Sequence, residues 1–194
     1  MDKVSYAIGM NIAANLRQSG VDSLDVESLS AGLTAVLSGG KPELSSHEAG
    51  SILNKFFAEL EEARQTRNIE EGKAFLARNA KRSGVVTLPS GLQYEVLREG
   101  SGSIPTLSDT VRCHYHGTLI SGKVFDSSVQ RGAPASFPVS GVIKGWTEAL
   151  QLMSVGSKWK LFIPSDLAYG ARGAGEDIGP HTTLIFEVEL LGIV

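Results

Sequence analysis

Residues Thr183-Leu184-Ile185-Phe186-Glu187-Val188-Glu189-Leu190-Leu191 alternate with the period of a β-strand. Leu184, Phe186, Val188 and Leu190 fall on one face, and Ile185, Glu187 and Glu189 on the other, because successive strand side chains point to opposite sides. Upstream, Gln93–Arg98, Thr110–Leu119 and Lys158–Ile163 are short runs of the same period. Glycine and proline punctuate the gaps at Pro89, Gly91, Gly100, Gly102, Gly122, Gly132, Pro134, Gly141 and Gly156. Residues 145–152 alone read as a short helix in this half. Strands separated by turns, with a single helix among them, predict an antiparallel sheet wrapped round that helix, an α+β arrangement.

Before Ser83-Gly84 the sequence has another character. Val4, Ile8, Ile12 and Leu16 stand four apart, an apolar stripe on a helix over 4–19, and Gly20 supplies its stop. Asp25 is placed to cap a second helix carrying Val26, Leu29, Leu33, Val36 and Leu37, which Gly39-Gly40 and Pro42 then break. Ser45-Ser46-His47-Glu48 fits a capping box, in which Ser45 and Glu48 each satisfy a free helix N–H. The helix it opens is expected over 45–82, roughly 55 Å long at about 1.5 Å per residue. Its first half is amphipathic, with Ile52, Leu53, Phe56, Phe57 and Leu60. Its second half, 61–82, is mostly charged, with only Ile69, Phe75 and Leu76 as larger apolar groups. A helix polar nearly all round is expected to bridge domains through solvent. The predicted organisation is an all-helical N-terminal domain over 1–44, a long connecting helix over 45–83 and the sheet domain over 84–194.

Composition narrows the classes of function. The 194 residues suffice for one large domain or two modest ones, and the formal net charge of −3 gives no reason to expect nucleic acid or an anionic membrane as partner. No apolar run reaches the length of a membrane span. The N-terminus, Met1-Asp2-Lys3-Val4-Ser5, lacks the basic stretch and apolar core of a secretory signal. A cytoplasmic protein is therefore expected, or a periplasmic or surface one if the chain is a processed form. Cys113 is the only cysteine, which excludes an intrachain disulfide and fits a reducing compartment.

Six segments of the C-terminal half together resemble the FKBP family. They are residues 111–119 (VRCHYHGTL), 122–128 (GKVFDSS), 142–146 (VIKGW), 153–156 (MSVG), 168–170 (AYG) and 184–190 (LIFEVEL). They keep the family's order and spacing across about 110 residues, which no one segment would establish alone. The leading helices, with the segment VSYAIGMNIAANL at 4–16, resemble bacterial proteins of the macrophage infectivity potentiator class, which are dimers joined by helical arms.

The resemblance implies a peptidyl-prolyl cis–trans isomerase. An X–Pro amide isomerises over tens to hundreds of seconds unaided, because its partial double bond resists twisting. At the half-twisted transition state resonance is lost, and water favours the charge-separated planar form. A catalyst therefore needs apolar walls, a few hydrogen bonds to fix the chain, and no nucleophile; only a preference for the twisted form raises the rate. By family correspondence, Tyr115, Phe125, Val142, Ile143, Trp146, Tyr169 and Phe186 would line the pocket, with Trp146 beneath the prolyl ring. The Ile143 N–H and the Tyr169 hydroxyl would hold substrate carbonyls. Asp126 would sit at the edge, oriented by Tyr115 and Arg131. Phe137 and Ile178 would complete the binding surface. Ala135 and Ser136 stand where eukaryotic members often carry a second aromatic, and the loop 172–180 is Gly-rich and acidic with a small Ala174. These departures bear on substrate preference and on macrolide inhibitors, which the resemblance brings in as ligands of the same pocket.

Without the resemblance, Phe125, Val142, Ile143, Trp146 and Phe186 read as core, Asp126 before Ser127-Ser128 as a turn residue, and Tyr169-Gly170 as loop. No cofactor is expected. His114 and His116 share a strand face, but a structural metal site needs four ligands and Cys113 points the other way. No serine nucleophile elbow, phosphate loop or dinucleotide fingerprint is present. The expected partners are unfolded or partly folded proteins with X–Pro bonds, and a second copy of the chain. The alternative to an isomerase is a dimeric holdase chaperone or scaffold in which catalysis is secondary.

Overall fold

The computed structural model describes residues 1–194. The chain divides into two compact units, Met1–Ala63 and Arg64–Val194.

In the first unit, helix α1 spans Lys3–Gln18 and α2 spans Val26–Leu37; α3, Ser46–Asn79, begins here and ends in the second unit. Each start has a side-chain cap. Asp2 accepts from the Ser5 N–H and Asp25 from the Ser28 N–H, both at 2.7 Å. The capping box forms as expected: the Ser45 N–H donates to Glu48 Oε2 at 2.9 Å and the Glu48 N–H to Ser45 Oγ at 3.2 Å. Gly20, at φ +86°, ends α1 where a Cβ would stand 3.7 Å from Leu60 Cδ2. The apolar stripes are little covered: Ile8 is 55% exposed and Ile52 54%.

The second unit holds seven strands: β1 Val85–Thr87, β2 Gln93–Arg98, β3 Thr110–Leu119, β4 Val124–Ser127, β5 Ala135–Pro138, β6 Lys158–Ile163 and β7 Leu184–Ile193. All pair antiparallel, in the order β1-β2-β6-β7-β3-β4. The outer edge of β3 is shared, Thr110–Cys113 pairing with β5 and His116–Thr118 with β4. The short helix α4, Lys144–Leu150, buries Trp146, Ala149 and Leu150 against the inner face. The alternation read in β7 holds, with Leu184, Phe186, Val188 and Leu190 buried.

The charged half of α3 does not run through solvent. Gln93 and Phe162 are paired across β2 and β6, and both receive side chains from α3. The Phe75 ring lies 6.0 Å from that of Phe162, and Asn79 Nδ2 donates to Gln93 Oε1 at 2.9 Å. Gln93 Nε2 in turn donates to the Leu76 carbonyl at 3.0 Å, so the buried amides are satisfied. Gly72 is buried where a Cβ would stand 2.5 Å from Thr183 Oγ1. A glycine and two amides thus dock a face that lacks an apolar stripe, which a count of hydrophobic residues does not register.

Candidate active site

Between α4 and the inner face of the sheet lies a cavity of about 530 Å³. Trp146, in the first turn of α4, meets Tyr115 of β3 edge-on at 5.6 Å and Phe186 of β7 at 5.3 Å. Phe125 of β4 stands edge-on to Phe186 at 5.4 Å, and Phe137 of β5 edge-on to Trp146 at 5.8 Å. Edge-to-face contacts of this kind are the favoured way to pack rings. Gly117 makes the cluster possible. It pairs with Phe186 across β3 and β7, and a Cβ there would fall 2.7 Å from Phe125 Cζ and 2.8 Å from Phe186 Cε1.

The remaining walls come from connections. Val142 and Ile143 line the cavity just before α4, Ile143 being its N-cap residue. The Ile143 N–H makes no hydrogen bond within the protein. Tyr169, 40% exposed, and the loop 174–178 close the other side, with Ile178 buried.

Three carboxylates border the cavity, those of Asp126, Glu176 and Asp177, and the first is held by residues of the aromatic wall. Asp126 accepts a 2.6 Å hydrogen bond from the Tyr115 hydroxyl and pairs with Arg131, whose Nη2 also donates to the Tyr115 oxygen at 2.7 Å. Burial works to raise the Asp126 pKa, but the hydrogen bonds from Tyr115 and Arg131, with the Arg131 charge, outweigh it and hold the carboxyl below its ordinary value. Burial, then the bond to Asp126, pushes the Tyr115 phenol above its ordinary value. The Asp126 carboxylate is therefore ionised and the phenol neutral at neutral pH.

Tyr115, Phe125, Asp126, Phe137, Val142, Ile143, Trp146, Tyr169, Ile178 and Phe186, all expected at the site, line this one cavity. Arg131 stands outside the lining and reaches it through Tyr115 and Asp126. Gly141, Ala174, Gly175, Glu176 and Asp177 also line it and were not expected as site residues; for the last four the glycine- and acid-rich composition of the loop was the only signal, and Gly141 had none beyond its place before the 142–146 segment. His114 and His116 bond Ser128 and Ser127 at 3.1 and 3.0 Å, and no group of three or more potential metal ligands gathers anywhere in the chain. Cys113 is buried behind the site, its thiol pushed up to about 12 by burial.

Two family models divide the sequence between them. Residues 102–191 match the FKBP-type peptidyl-prolyl cis-trans isomerase, and residues 1–96 the domain amino terminal to FKBP-type peptidyl-prolyl isomerase. The FKBP-type 22 kDa peptidyl-prolyl cis-trans isomerase of Escherichia coli is 48% identical, over 99% of this chain and 95% of that protein. The chain belongs to the FKBP-type peptidyl-prolyl cis-trans isomerases. Within that family, the isomerase is also 44% identical to the outer membrane protein MIP of Legionella longbeachae, over 99% of this chain and 85% of that one. The crystal structure of FkpA from Escherichia coli matches with a TM-score of 0.79 at 38% identity, covering 98% of this chain and 92% of that one. The likeness to the macrophage infectivity potentiator class thus holds along the whole length. No helix of the isomerase is long and apolar enough to cross a membrane. The name of the Legionella relative lends no support to the cytoplasmic location expected from the N-terminus.

Proposed function

We propose that the isomerase works by holding a prolyl residue in the cavity over Trp146 and stripping water from its amide, with no covalent step. The observation that carries this reading is the convergence of Tyr115, Trp146 and Phe186 on one cavity, with the Asp126 carboxylate hydrogen-bonded to Tyr115 at its edge. Phe125, Phe137 and Val142 supply apolar wall around the amide, and Ile178 an apolar rim that binds the chain beyond it. The unpartnered Ile143 N–H and the Tyr169 hydroxyl hold the substrate's carbonyls, and Arg131 orients Asp126 toward the bound amide. Dry walls remove the preference of water for the planar, charge-separated amide, so the twisted form gains relative to both planar forms. Each factor of ten in rate requires about 1.4 kcal/mol of that difference. A peptide containing one X–Pro bond, followed by NMR exchange, tests this directly. Trp146→Ala and Asp126→Ala should both slow exchange, and wild-type rates in both would remove the proposal.

In this reading residues 1–44 form a dimerisation domain, 45–83 a connecting helix and 84–194 the isomerase domain. Ile8 and Ile52 are exposed in a single copy, and pairing two copies would bury their stripes. Protein clients with X–Pro bonds are the substrates. The same exposed stripes favour the second reading, a dimeric holdase in which isomerisation is secondary. Activity on an unfolded protein, compared with activity on a short peptide, separates the two. The cell envelope, open to a processed form of the chain, agrees with the name of the Legionella relative.

A further inference from the structure

The loop between Gly173 and Thr182 is the one part of the cavity wall with little regular structure to hold it. Inside, it is closed by a small bridge: the Ala174 N–H donates to the Ile178 carbonyl at 2.8 Å and the Ile178 N–H returns to Ala174 at 3.1 Å. Gly173, at φ +64°, permits the turn, since a Cβ there would stand 2.2 Å from the Ile178 oxygen. Behind the loop lies a second, polar cavity of about 280 Å³, bordered by Asn68 and Glu71 of α3. Glu176 and Asp177 line both cavities, so the loop is a thin partition between them. Packing on one side only does not fix such a partition, and its position depends on polar pins. The Lys123–Asp177 ion pair, 2.6 Å, is one, and it is largely exposed. Asn68 is another: its Nδ2 donates to the Pro180 carbonyl at 2.8 Å in a part-buried setting.

We infer that Asn68 of helix α3 is a positioning residue for the isomerase reaction, holding the loop through Pro180 so that Ala174 and Ile178 complete the substrate cavity. The inference rests on the cavity reading proposed above. Pro180 is followed by His181, at φ +54°, whose N–H donates to the Gly170 carbonyl at 2.8 Å. The end of the loop is thereby tied to the segment that carries Tyr169. Losing the Asn68 bond frees the stretch between these ties. The loop touches the bound chain but not the twisting bond. Its contacts therefore serve planar and twisted forms alike, and their loss raises KM and leaves kcat alone.

The test uses full-length Asn68→Ala and Asn68→Leu, the second preserving bulk without the donor. Both should raise KM for an X–Pro peptide about five-fold, the scale of one hydrogen bond, with kcat within about two-fold. The Ile178 methyl resonance should shift in both. Phe75→Leu, which loosens the same helix over Phe162 away from the loop, should lower the melting temperature and leave KM at the wild-type value. Unchanged KM in both Asn68 variants, or an equal rise in Phe75→Leu, would overturn the positioning role. Trp146→Ala in the same assay probes the cavity reading separately: wild-type activity there sinks that reading, whereas lost activity there beside wild-type Asn68 variants sinks only the role of Asn68.

Discussion

The phenol of Tyr115 and the carboxylate of Asp126, on neighbouring strands, are joined by a 2.6 Å hydrogen bond at the edge of the aromatic-walled cavity. Tyr115 is thus a wall of the cavity through its ring and a support for the Asp126 charge through its hydroxyl. Tyr115→Phe keeps the wall and removes the support. It should slow peptide isomerisation by roughly three-fold and cost about 1 kcal/mol of stability. Asp126→Ala removes the charge and leaves Arg131 unpaired, and should slow the reaction roughly ten-fold with the fold intact, read by peptide exchange and by circular dichroism.

The pH dependence has a definite sign. The folded pKa of Asp126 lies below its unfolded value of about 3.9, so its contribution to stability is present above that value and lost as pH falls through the folded pKa. The folded pKa of Tyr115 lies above its unfolded value of about 10; its contribution is present below that value and lost as pH rises through the folded one. Activity should therefore be flat between about pH 5 and 9, with no histidine-like inflection. A step in kcat/KM near pH 6.5 would point to another titrating group.

Gly117 lies too close to two rings to accept a side chain. Gly117→Ala should push Phe125 and Phe186 apart, cost about 1–3 kcal/mol as an overpacked site, and reduce kcat/KM more than ten-fold. Thermal melting alongside the peptide assay separates the two losses. A variant with wild-type kcat/KM would mean that the rings can yield without closing the cavity.

Ile8→Glu and Ile52→Glu place charges on the exposed stripes of the first unit. Light scattering should report half the wild-type mass for the double variant, with activity on a short peptide within about two-fold, because neither residue lines the cavity. A wild-type mass would remove the stripes as the dimer interface.

Asn79→Ala strands Gln93 Oε1 in a buried site and should cost about 1–3 kcal/mol by denaturant unfolding, leaving KM unchanged.

The sequence made the longer strands legible because alternation needs several residues to show. Gln93–Arg98, Thr110–Leu119 and Lys158–Ile163 fall where their period placed them. Val85–Thr87, Val124–Ser127 and Ala135–Pro138 are too short to display a period, and only their partners in the sheet define them as strands. α3 ends at Asn79, before the expected 82, and turns out through Gly84 at φ +84°. At the site, Tyr115, Asp126 and Trp146 were legible because ordered motifs carried them. Asn68 was not. Its partner is 112 residues away, and a lone asparagine in a charged helix bears no mark of the carbonyl it will meet.

The three rings that meet at the cavity are also buried members of the hydrophobic core, Tyr115 at 7%, Trp146 at 4% and Phe186 at 5% exposure. Scaffold and receptacle are one set of side chains. A substitution that reshapes the receptacle also weakens the scaffold, so retuning by that route is self-limiting. In the 173–182 loop only Ile178 carries that double burden; Gly175, Glu176 and Asp177 line the cavity from outside the core. Substitutions at those three positions can therefore alter preference while the aromatic nest stays fixed.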